Sequence, residues 1–268
     1  MQRYLFLLLL SLTGFANAQQ VTSDWENYVV SLKGRPVSIN VDLGLKKLAP
    51  MKDNPYVIML RLKLNNPNAD GMPQGGDLEQ LITLEEKLVE MLARQNGTLF
   101  AGRFTQRGLR EFYFYGPDTL GYLKAINESM IEFPDFEFLC LAKNDQQWEN
   151  YLTVLYPSNP DKLRIDSRRR LGEMARAGTL GAGLVDVFHY FIFSDQESRK
   201  KFLMGPLASG SNLVSMPLQA DAKTGTYSLV LKKMEKPAYD WIENSLIPLF
   251  TAALKSGGTY QGWDFTSR

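Results

Sequence analysis

Leucine and isoleucine alternate with polar residues in the first clear strand of the chain. Over residues 57–64 an aliphatic side chain falls at every second position, and Arg61 and Lys63 lie between them. This alternation is typical of a strand with one buried face. An extended segment at residues 35–41 precedes the strand. A loop rich in Asn, Pro, Asp and Gly follows it at residues 65–76.

A helical period replaces the alternation after this loop. Residues 77–96 predict an amphipathic helix, in which Asp77 caps the first turn and Gln80 reaches back to it. Gly97 tolerates the left-handed turn that ends such a helix. The apolar stripe of the helix consists of Leu81, Leu84, Leu88, Met91 and Leu92.

Three strands and a second helix complete the first half of the chain. The pattern predicts strands at residues 98–105, 109–115 and 136–142, and a helix at 119–133 that Pro134 stops. The order is then strand, helix, strand, strand, helix, strand. This is the order of a ferredoxin-like βαββαβ unit.

The same order begins again in the second half. We predict strands at residues 184–193, 212–219 and 226–234, and helices at 195–207 and 237–255. The chain then ends in an aromatic tail, which we expect to fold back as an edge strand because its apolar surface would otherwise stay in water.

The predicted fold class is therefore α+β, with two tandem ferredoxin-like domains of antiparallel sheets. The domains span residues 24–157 and 184–268. Residues 158–183 contain Pro160, three consecutive arginines from Arg168 and four glycines, and we interpret them as a linker in which residues 171–177 can form a helical turn or two.

The N-terminus has the pattern of a secretory signal peptide over residues 1–18. Arg3 supplies the basic start, an apolar run of about ten residues follows, and Ala16 and Ala18 form the small-x-small cleavage site. The run is too short for a membrane span, which needs about 20 residues. We expect a periplasmic or secreted bacterial protein with no membrane span after cleavage.

The composition limits the kinds of functional site that the chain can form. Lys and Arg number 30 against 29 Asp and Glu, so no excess of positive charge predicts a nucleic-acid partner. Cys140 is the one cysteine and His189 the one histidine. We interpret the first as a buried structural thiol and the second as a histidine packed on a sheet face. We predict no metal site, no cofactor and no catalytic residue, because the G-x-S-x-G and phosphate-loop motifs are also absent.

Aromatic residues flank both predicted domains and are the candidate binding residues. Each of them can fill a core or anchor a contact with a protein partner, and the sequence leaves both interpretations open. The candidates are Trp25, Trp148, Tyr151, Tyr260 and Trp263.

Three strings in the first half identify a family resemblance. They are Asp24-Trp25-x-x-Tyr28, Arg110-Glu111-Phe112-Tyr113-Phe114-Tyr115 and Asp145-x-x-Trp148-x-x-Tyr151-x-x-x-Leu155-Tyr156-Pro157. With these strings, residues 24–157 resemble the bacterial domain-of-unknown-function family 695. The family has no assigned activity, so the resemblance implies a boundary and no chemistry.

Two strings in the second half identify another resemblance. They are Phe188-His189-Tyr190-Phe191 and Gly257-Gly258-Thr259-Tyr260-Gln261-Gly262-Trp263. This half resembles the regulator of ribonuclease E activity B (RraB-like) family. The resemblance implies a ferredoxin-like domain that acts by binding. This chain differs from the regulator that gives the family its name, because that regulator is cytoplasmic and strongly acidic.

We therefore expect a non-catalytic protein-binding or regulatory module, with an unknown protein partner in the periplasm or outside the cell. Two alternatives stay open. One is a hydrolase with a carboxylate site between the domains, and the other is a structural envelope protein.

The signal peptide generates a first prediction. When the protein is purified from the cell envelope, intact-mass measurement should find a chain that begins at Gln19, or its cyclised form, because cleavage follows Ala18. A chain that keeps Met1 and stays in the cytosolic fraction would contradict export.

Overall fold

The computed structural model describes residues 23–180 and 183–266. The chain divides into two compact units, of which the first ends at Tyr156 and the second begins at Pro157. Each unit has its own antiparallel sheet, and helices lie between the strands, so the mixed α+β class is confirmed. The predicted signal peptide lies outside the described residues. No helix in the described part is both long and apolar enough to cross a membrane.

The first unit is built on a six-stranded sheet. Its elements are, in chain order, β1 (Trp25–Leu32), β2 (Arg35–Asp42), a 3-10 turn (Leu43–Lys47), β3 (Tyr56–Lys63), α1 (Gly76–Asn96), β4 (Leu99–Gln106), β5 (Leu109–Gly116), α2 (Tyr122–Met130), β6 (Phe138–Asn144) and a π-helical turn (Asn150–Leu155).

The strands of this sheet lie in the order β1-β2-β4-β5-β3-β6. The segment predicted only as extended is β2, which forms a hairpin with β1 and joins the sheet beside β4. Both helices contribute to one hydrophobic core, in which Leu60 of β3 and Phe112 of β5 meet Leu84 of α1 and Ile126 of α2. All four side chains are fully buried, as the alternation and the helical stripe predicted.

A carboxylate ties the C-terminal segment of the first unit to the other face of the sheet. Tyr115 donates its hydroxyl to Asp145 at 2.7 Å, on the face opposite to the one that packs on the helices. Asp145 also accepts from the backbone N–H of Glu149 at 2.8 Å and from the side-chain amide of Asn150 at 2.8 Å. We call this group the Asp145 latch. It holds the start of the π-helical turn against β5.

The aromatic residues of the same string fill the space beneath the latch. The Trp148 ring stacks on Tyr115 with centroids 3.9 Å apart, and its Nε1 donates to the Asn54 carbonyl at 2.9 Å. The Tyr151 hydroxyl donates to the Asp42 carbonyl at 2.8 Å. The Asp-x-x-Trp-x-x-Tyr spacing therefore has a structural explanation, since it places one carboxylate and two rings on the same sheet face.

The predicted capping box of α1 is wrong. The residue before the helix is Gly75, and no side chain caps the first turn. Asp77 is buried and accepts from the backbone N–H of Asn66 at 2.9 Å, so its carboxylate holds the preceding loop. The glycine end of the helix is as predicted, because Gly97 adopts the left-handed conformation there.

The second unit is built on a four-stranded sheet. Its elements are, in chain order, α3 (Asn159–Arg176), β7 (Val185–Phe193), α4 (Gln196–Leu203), β8 (Asn212–Ser215), β9 (Tyr227–Glu235), α5 (Tyr239–Trp241), a π-helical turn (Ile242–Leu246), α6 (Ile247–Lys255) and β10 (Gly258–Thr266).

The strands of the second sheet lie in the order β10-β7-β9-β8, and all neighbours are antiparallel. The aromatic tail forms β10, at the edge of the sheet beside β7, as predicted. Phe191 and Leu229 from the central strands pack with Phe202 of α4 and Leu249 of α6 in one core. The helices of this unit thus cover one face of the sheet.

The linker expected at residues 158–183 is largely a helix instead. Residues Asn159–Arg176 form α3, whose Leu171 and Met174 are buried in the core of the second unit. Ser167 of the same helix accepts a hydrogen bond from the Trp263 indole at 3.0 Å. The run of arginines hid an apolar stripe with helical spacing, because three charged side chains interrupt the hydrophobic signal.

The latch generates a second prediction. Asp145→Ala should lower the free energy of unfolding by about 3 kcal/mol, because it leaves the buried Tyr115 hydroxyl and the part-buried amide groups of Glu149 and Asn150 without an acceptor. Burial alone would raise the pKa of the Asp145 carboxyl, but hydrogen bonds from Asn150, Tyr115 and Glu149 hold that pKa below its ordinary value. The stabilisation is therefore present above the ordinary carboxyl pKa and is lost as pH falls through the lowered one.

Urea unfolding of the native protein and the variant, followed by circular dichroism at neutral and at acid pH, measures both effects. Asp53→Ala is the matched control, since Asp53 is an exposed aspartate in a nearby loop. An Asp145→Ala variant as stable as this control at neutral pH would rule out the latch.

Candidate functional site

The face of the second sheet that turns away from the helices is apolar at its centre. Phe188, Tyr190 and Ile192 of β7 alternate with the buried residues of that strand and do not join the core. Val230 lies opposite Tyr190 on β9, and Met234 is 55% exposed further along the same strand. We call these five residues the open face. Tyr190 and Met234 are exposed and the other three residues are partly buried, so the group is a candidate interaction surface rather than a single exposed apolar residue.

Tyr190 stands at the middle of the open face. Its side chain is 38% exposed, and its neighbour on β10 is Gly262, which has no side chain to cover the ring. A Cβ added at Gly262 would have open space around it, so packing does not require glycine there. Its backbone does, because φ is 134° and side chains with a Cβ rarely adopt that angle.

A β-bulge at Gln261 explains how the tail places its aromatic residues. Tyr260 lies opposite Phe191 and Trp263 opposite His189, although the two tail residues are three positions apart. A regular strand would put residues three apart on opposite faces. The extra residue restores the phase, so both aromatic side chains enter the core and Gly262 faces outward.

His189 forms a hydrogen-bonded chain inside the sheet and is completely buried, as expected for a packed histidine. Its Nδ1 lies 2.9 Å from the Tyr260 hydroxyl, and its Nε2 lies 3.0 Å from Glu235. Ser245 donates to the other oxygen of Glu235 at 2.7 Å. The tautomer that satisfies every group has the Tyr260 hydroxyl donating to Nδ1 and Nε2–H donating to Glu235.

The surroundings of this hydrogen-bonded chain keep its two ends, Glu235 and Tyr260, in different protonation states. Burial alone would raise the pKa of the Glu235 carboxyl, but hydrogen bonds from His189 and Ser245 hold the pKa below its ordinary value. Burial raises the pKa of the Tyr260 hydroxyl well above its ordinary value, and the charge of Glu235 adds to that effect. The ionised Glu235 carboxylate and the neutral Tyr260 phenol therefore hold the His189 ring in place. This hydrogen-bonded series has a structural role.

Two hollows lie beside α3 on the second unit. One has a volume of about 520 Å³ and is lined by charged residues that include Asp166, Arg170 and Glu173. Arg170 is engaged there, since it donates to the Trp263 carbonyl and to Asp264. The other, of about 550 Å³, reaches Tyr260 between α3, α6 and β10. His189 lines neither hollow.

The structure places the five residues predicted from the sequence in two different settings. Trp148, Tyr151, Tyr260 and Trp263 are buried and pack the cores of the two units, although Tyr260 also reaches the second hollow. Trp25 is 40% exposed, and its ring is tilted against that of Phe100 with centroids 5.3 Å apart. Trp25, Trp148 and Tyr151 belong to the first unit, and Tyr260 and Trp263 belong to the second.

The open face was not among the candidates chosen from the sequence, although the signal for it was present. Once His189 is assigned to the buried face of β7, alternation assigns Phe188 and Tyr190 to the opposite one. In the described residues, no three or more His, Cys, Asp or Glu side chains come together to hold a metal ion. Cys140 is only half-buried because β6 is an edge strand.

Each half of the chain matches the profile of a known protein family. Residues 23–156 match the profile of the family of unknown function DUF695, and residues 164–265 match that of regulator of ribonuclease activity B. The chain is thus an α+β protein with two family regions, as the resemblances predicted. It belongs to the DUF695 family. No curated protein matches the chain significantly.

Two solved structures are distantly similar. One is described as a glycine cleavage system transcriptional repressor, with 8% identity, a TM-score of 0.22 and coverage of 80% of this chain and 98% of that one. The other is an unknown protein from Galdieria sulphuraria, with 7% identity, a TM-score of 0.22 and coverage of 80% and 99%. At such TM-scores neither similarity defines the fold or the function.

The buried tail generates a third prediction. Trp263→Ala should lower the free energy of unfolding by about 3–5 kcal/mol, because the indole is buried edge-on against Trp241 and bonded to Ser167. Trp263→Phe keeps most of the packing and should cost less. Urea unfolding measures both variants. Equal stability of Trp263→Ala and the native protein would contradict the structural role.

Proposed function

We propose that this protein is a non-catalytic regulatory module that binds a protein partner through the open face of the second unit. The carrying observation is the exposed Tyr190, which lies between Val230 and the bare backbone of Gly262. A tyrosine held on a rigid strand loses little conformational freedom on contact. Tyrosine is also among the residues that contribute most of the binding free energy in protein interfaces.

The chemistry of the surface supports a protein partner. Apolar and aromatic side chains occupy its centre, and the ion pair between Asp186 and Lys232, at 3.4 Å, lies on the same face. An apolar centre with charged groups around it is the usual composition of a protein interface. The match of this unit to regulator of ribonuclease activity B supports a regulatory role carried out by binding.

We also propose that both units have the ferredoxin-like fold. The strand orders support it, because β4-β5-β3-β6 in the first unit and β8-β9-β7-β10 in the second correspond strand for strand along the chain. Of the four strands taken in chain order, the first and third (β3 and β5, or β7 and β9) are central in the sheet, and the second and fourth lie outside them. In the first unit the hairpin β1–β2 adds two strands to this core.

The proposal also includes export of the protein from the cytoplasm. The signal-peptide pattern of residues 1–18 supports a location in the periplasm or outside the cell, where the partner would also be found. A partner in that compartment is a different protein from the cytoplasmic ribonuclease on which the regulator that names the family acts. The proposal is therefore a shared mode of action with a different target.

The open face generates a fourth prediction. Tyr190→Ala should weaken partner capture by about 30-fold, the effect of losing a hot-spot residue worth about 2 kcal/mol. The measurement is quantitative capture of envelope proteins by the immobilised variants. Tyr239→Ala is the matched control, because Tyr239 is an exposed tyrosine of the same unit outside the open face.

Stability should not change in either tyrosine variant, and thermal unfolding checks this. A partner that Tyr190→Ala retains as well as Tyr239→Ala does would place the binding surface elsewhere. Loss of capture in both variants would indicate a nonspecific aromatic effect and would also contradict the proposal.

A further inference from the structure

The first sheet ends in an edge strand that lacks the usual protection. Among the strands that the structure describes, β6 pairs with β3 alone, and its register with that strand runs without a bulge from Phe138 to Asn144. The strand contains no proline and one charged residue, Lys143. Leu139 is 72% exposed and Leu141 is 45% exposed on the face that carries the Asp145 latch. Natural proteins generally shield such an edge, because it is a template for pairing with another strand.

The backbone groups that the edge offers follow from the ladder. Lys63 N–H donates to the Glu137 carbonyl at 3.0 Å, and Asp145 N–H donates to the Pro55 carbonyl at 2.7 Å. Odd-numbered residues of this segment therefore turn their backbone groups toward β3. Since the direction alternates along a strand, the N–H and C=O groups of Phe138, Cys140 and Ala142 point away from the sheet.

We propose that two copies of this chain pair through β6, antiparallel and with Cys140 opposite Cys140 of the second copy. This two-fold register gives the outward N–H and C=O groups of Phe138, Cys140 and Ala142 partners in the second copy. The interface joins two six-stranded sheets into one continuous sheet. It uses the first unit, whereas the open face belongs to the second.

The side chains of β6 are complementary to themselves in this register. Leu139 lies opposite Leu141 of the second copy, at a pair without direct hydrogen bonds, where Cα atoms are about 4.5 Å apart and side chains are in closest contact. Glu137 lies opposite Lys143 of the second copy, so opposite charges meet at both ends. Cross-strand pairs of these two kinds stabilise antiparallel sheets.

Neighbouring registers lack this complementarity. A slip in one direction leaves Leu139 opposite itself but places Leu141 opposite Glu137. A slip in the other direction leaves Leu141 opposite itself, places Leu139 opposite Lys143 and brings Glu137 against Asp145. Either slip sets a leucine against a charged side chain, and the second adds repulsion between carboxylates. The pattern of residues therefore selects the central register.

Disulfide trapping tests the register directly. In a Cys140→Ala background, which has no other thiol, Leu139→Cys and Leu141→Cys are made as two separate full-length proteins. A Cα separation of about 4.5 Å is within the disulfide range of about 4.4–6.8 Å. Mild oxidation of the mixture should give a disulfide-linked dimer, and neither protein alone should. Val29→Cys, exposed on the opposite edge strand β1, is the control that should stay uncoupled.

The outcomes separate cleanly. A dimer formed by Leu139→Cys alone or by Leu141→Cys alone reports a slipped register and overturns the proposal. Equal coupling of Val29→Cys and the mixture reports random collision and overturns it as well.

Mass in solution provides an independent test. Sedimentation of the native protein over a concentration series should show the dimer, and Ala142→Pro should shift it to the monomer. Proline removes an N–H that points outward, so the ladder with β3 keeps its bonds. Leu141→Lys should have the same effect through charge. Circular dichroism confirms that both variants are folded. A native protein that is monomeric throughout the series would overturn the proposal.

Discussion

The polar tips of buried aromatic side chains impose the main constraint on both units. Tyr115, Trp148 and Tyr151 fill the first unit, and Tyr260 and Trp263 fill the second. Burying such a ring stabilises the fold only if its hydroxyl or indole N–H finds a partner, because an unpaired buried donor costs about 1–3 kcal/mol. Each of these five does find one, whereas Trp241 Nε1 has no partner in the described residues. The chain has one cysteine, so no internal disulfide replaces this network.

The elements that periodicity defines were predictable from the sequence, and those that depend on distant partners were not. The strand at residues 57–64 and the stripe of α1 follow from the local pattern and appear within a residue or two of their expected places. Asp77 was misassigned because its hydrogen-bond partner, Asn66, lies in the preceding loop rather than in the helix. Only the last turns of α3 were anticipated, because its buried side is defined by Trp263, about a hundred residues away.

The candidate site shows the same division. Trp148 and Trp263 were chosen as candidate binding residues and are both buried, because composition cannot tell a buried indole from an exposed one. Tyr190 was overlooked, although the phase of β7 assigns it to the outer face once His189 is known to be inside. The phase itself becomes certain only when Glu235 and Tyr260 are seen to enclose the histidine. Contacts between strands, which no local pattern contains, carry that information.

The bulge in β10 makes the number of residues, rather than the identity of each side chain, the property of this strand that is most sensitive to change. Because Gln261 is the extra residue, a natural variant that lacks it would keep every other residue of the strand on its present face. Loss or gain of one residue elsewhere in β10 would exchange the two faces of everything beyond it. Relatives of this unit should therefore differ in length at one point of the tail and be constant in length around it.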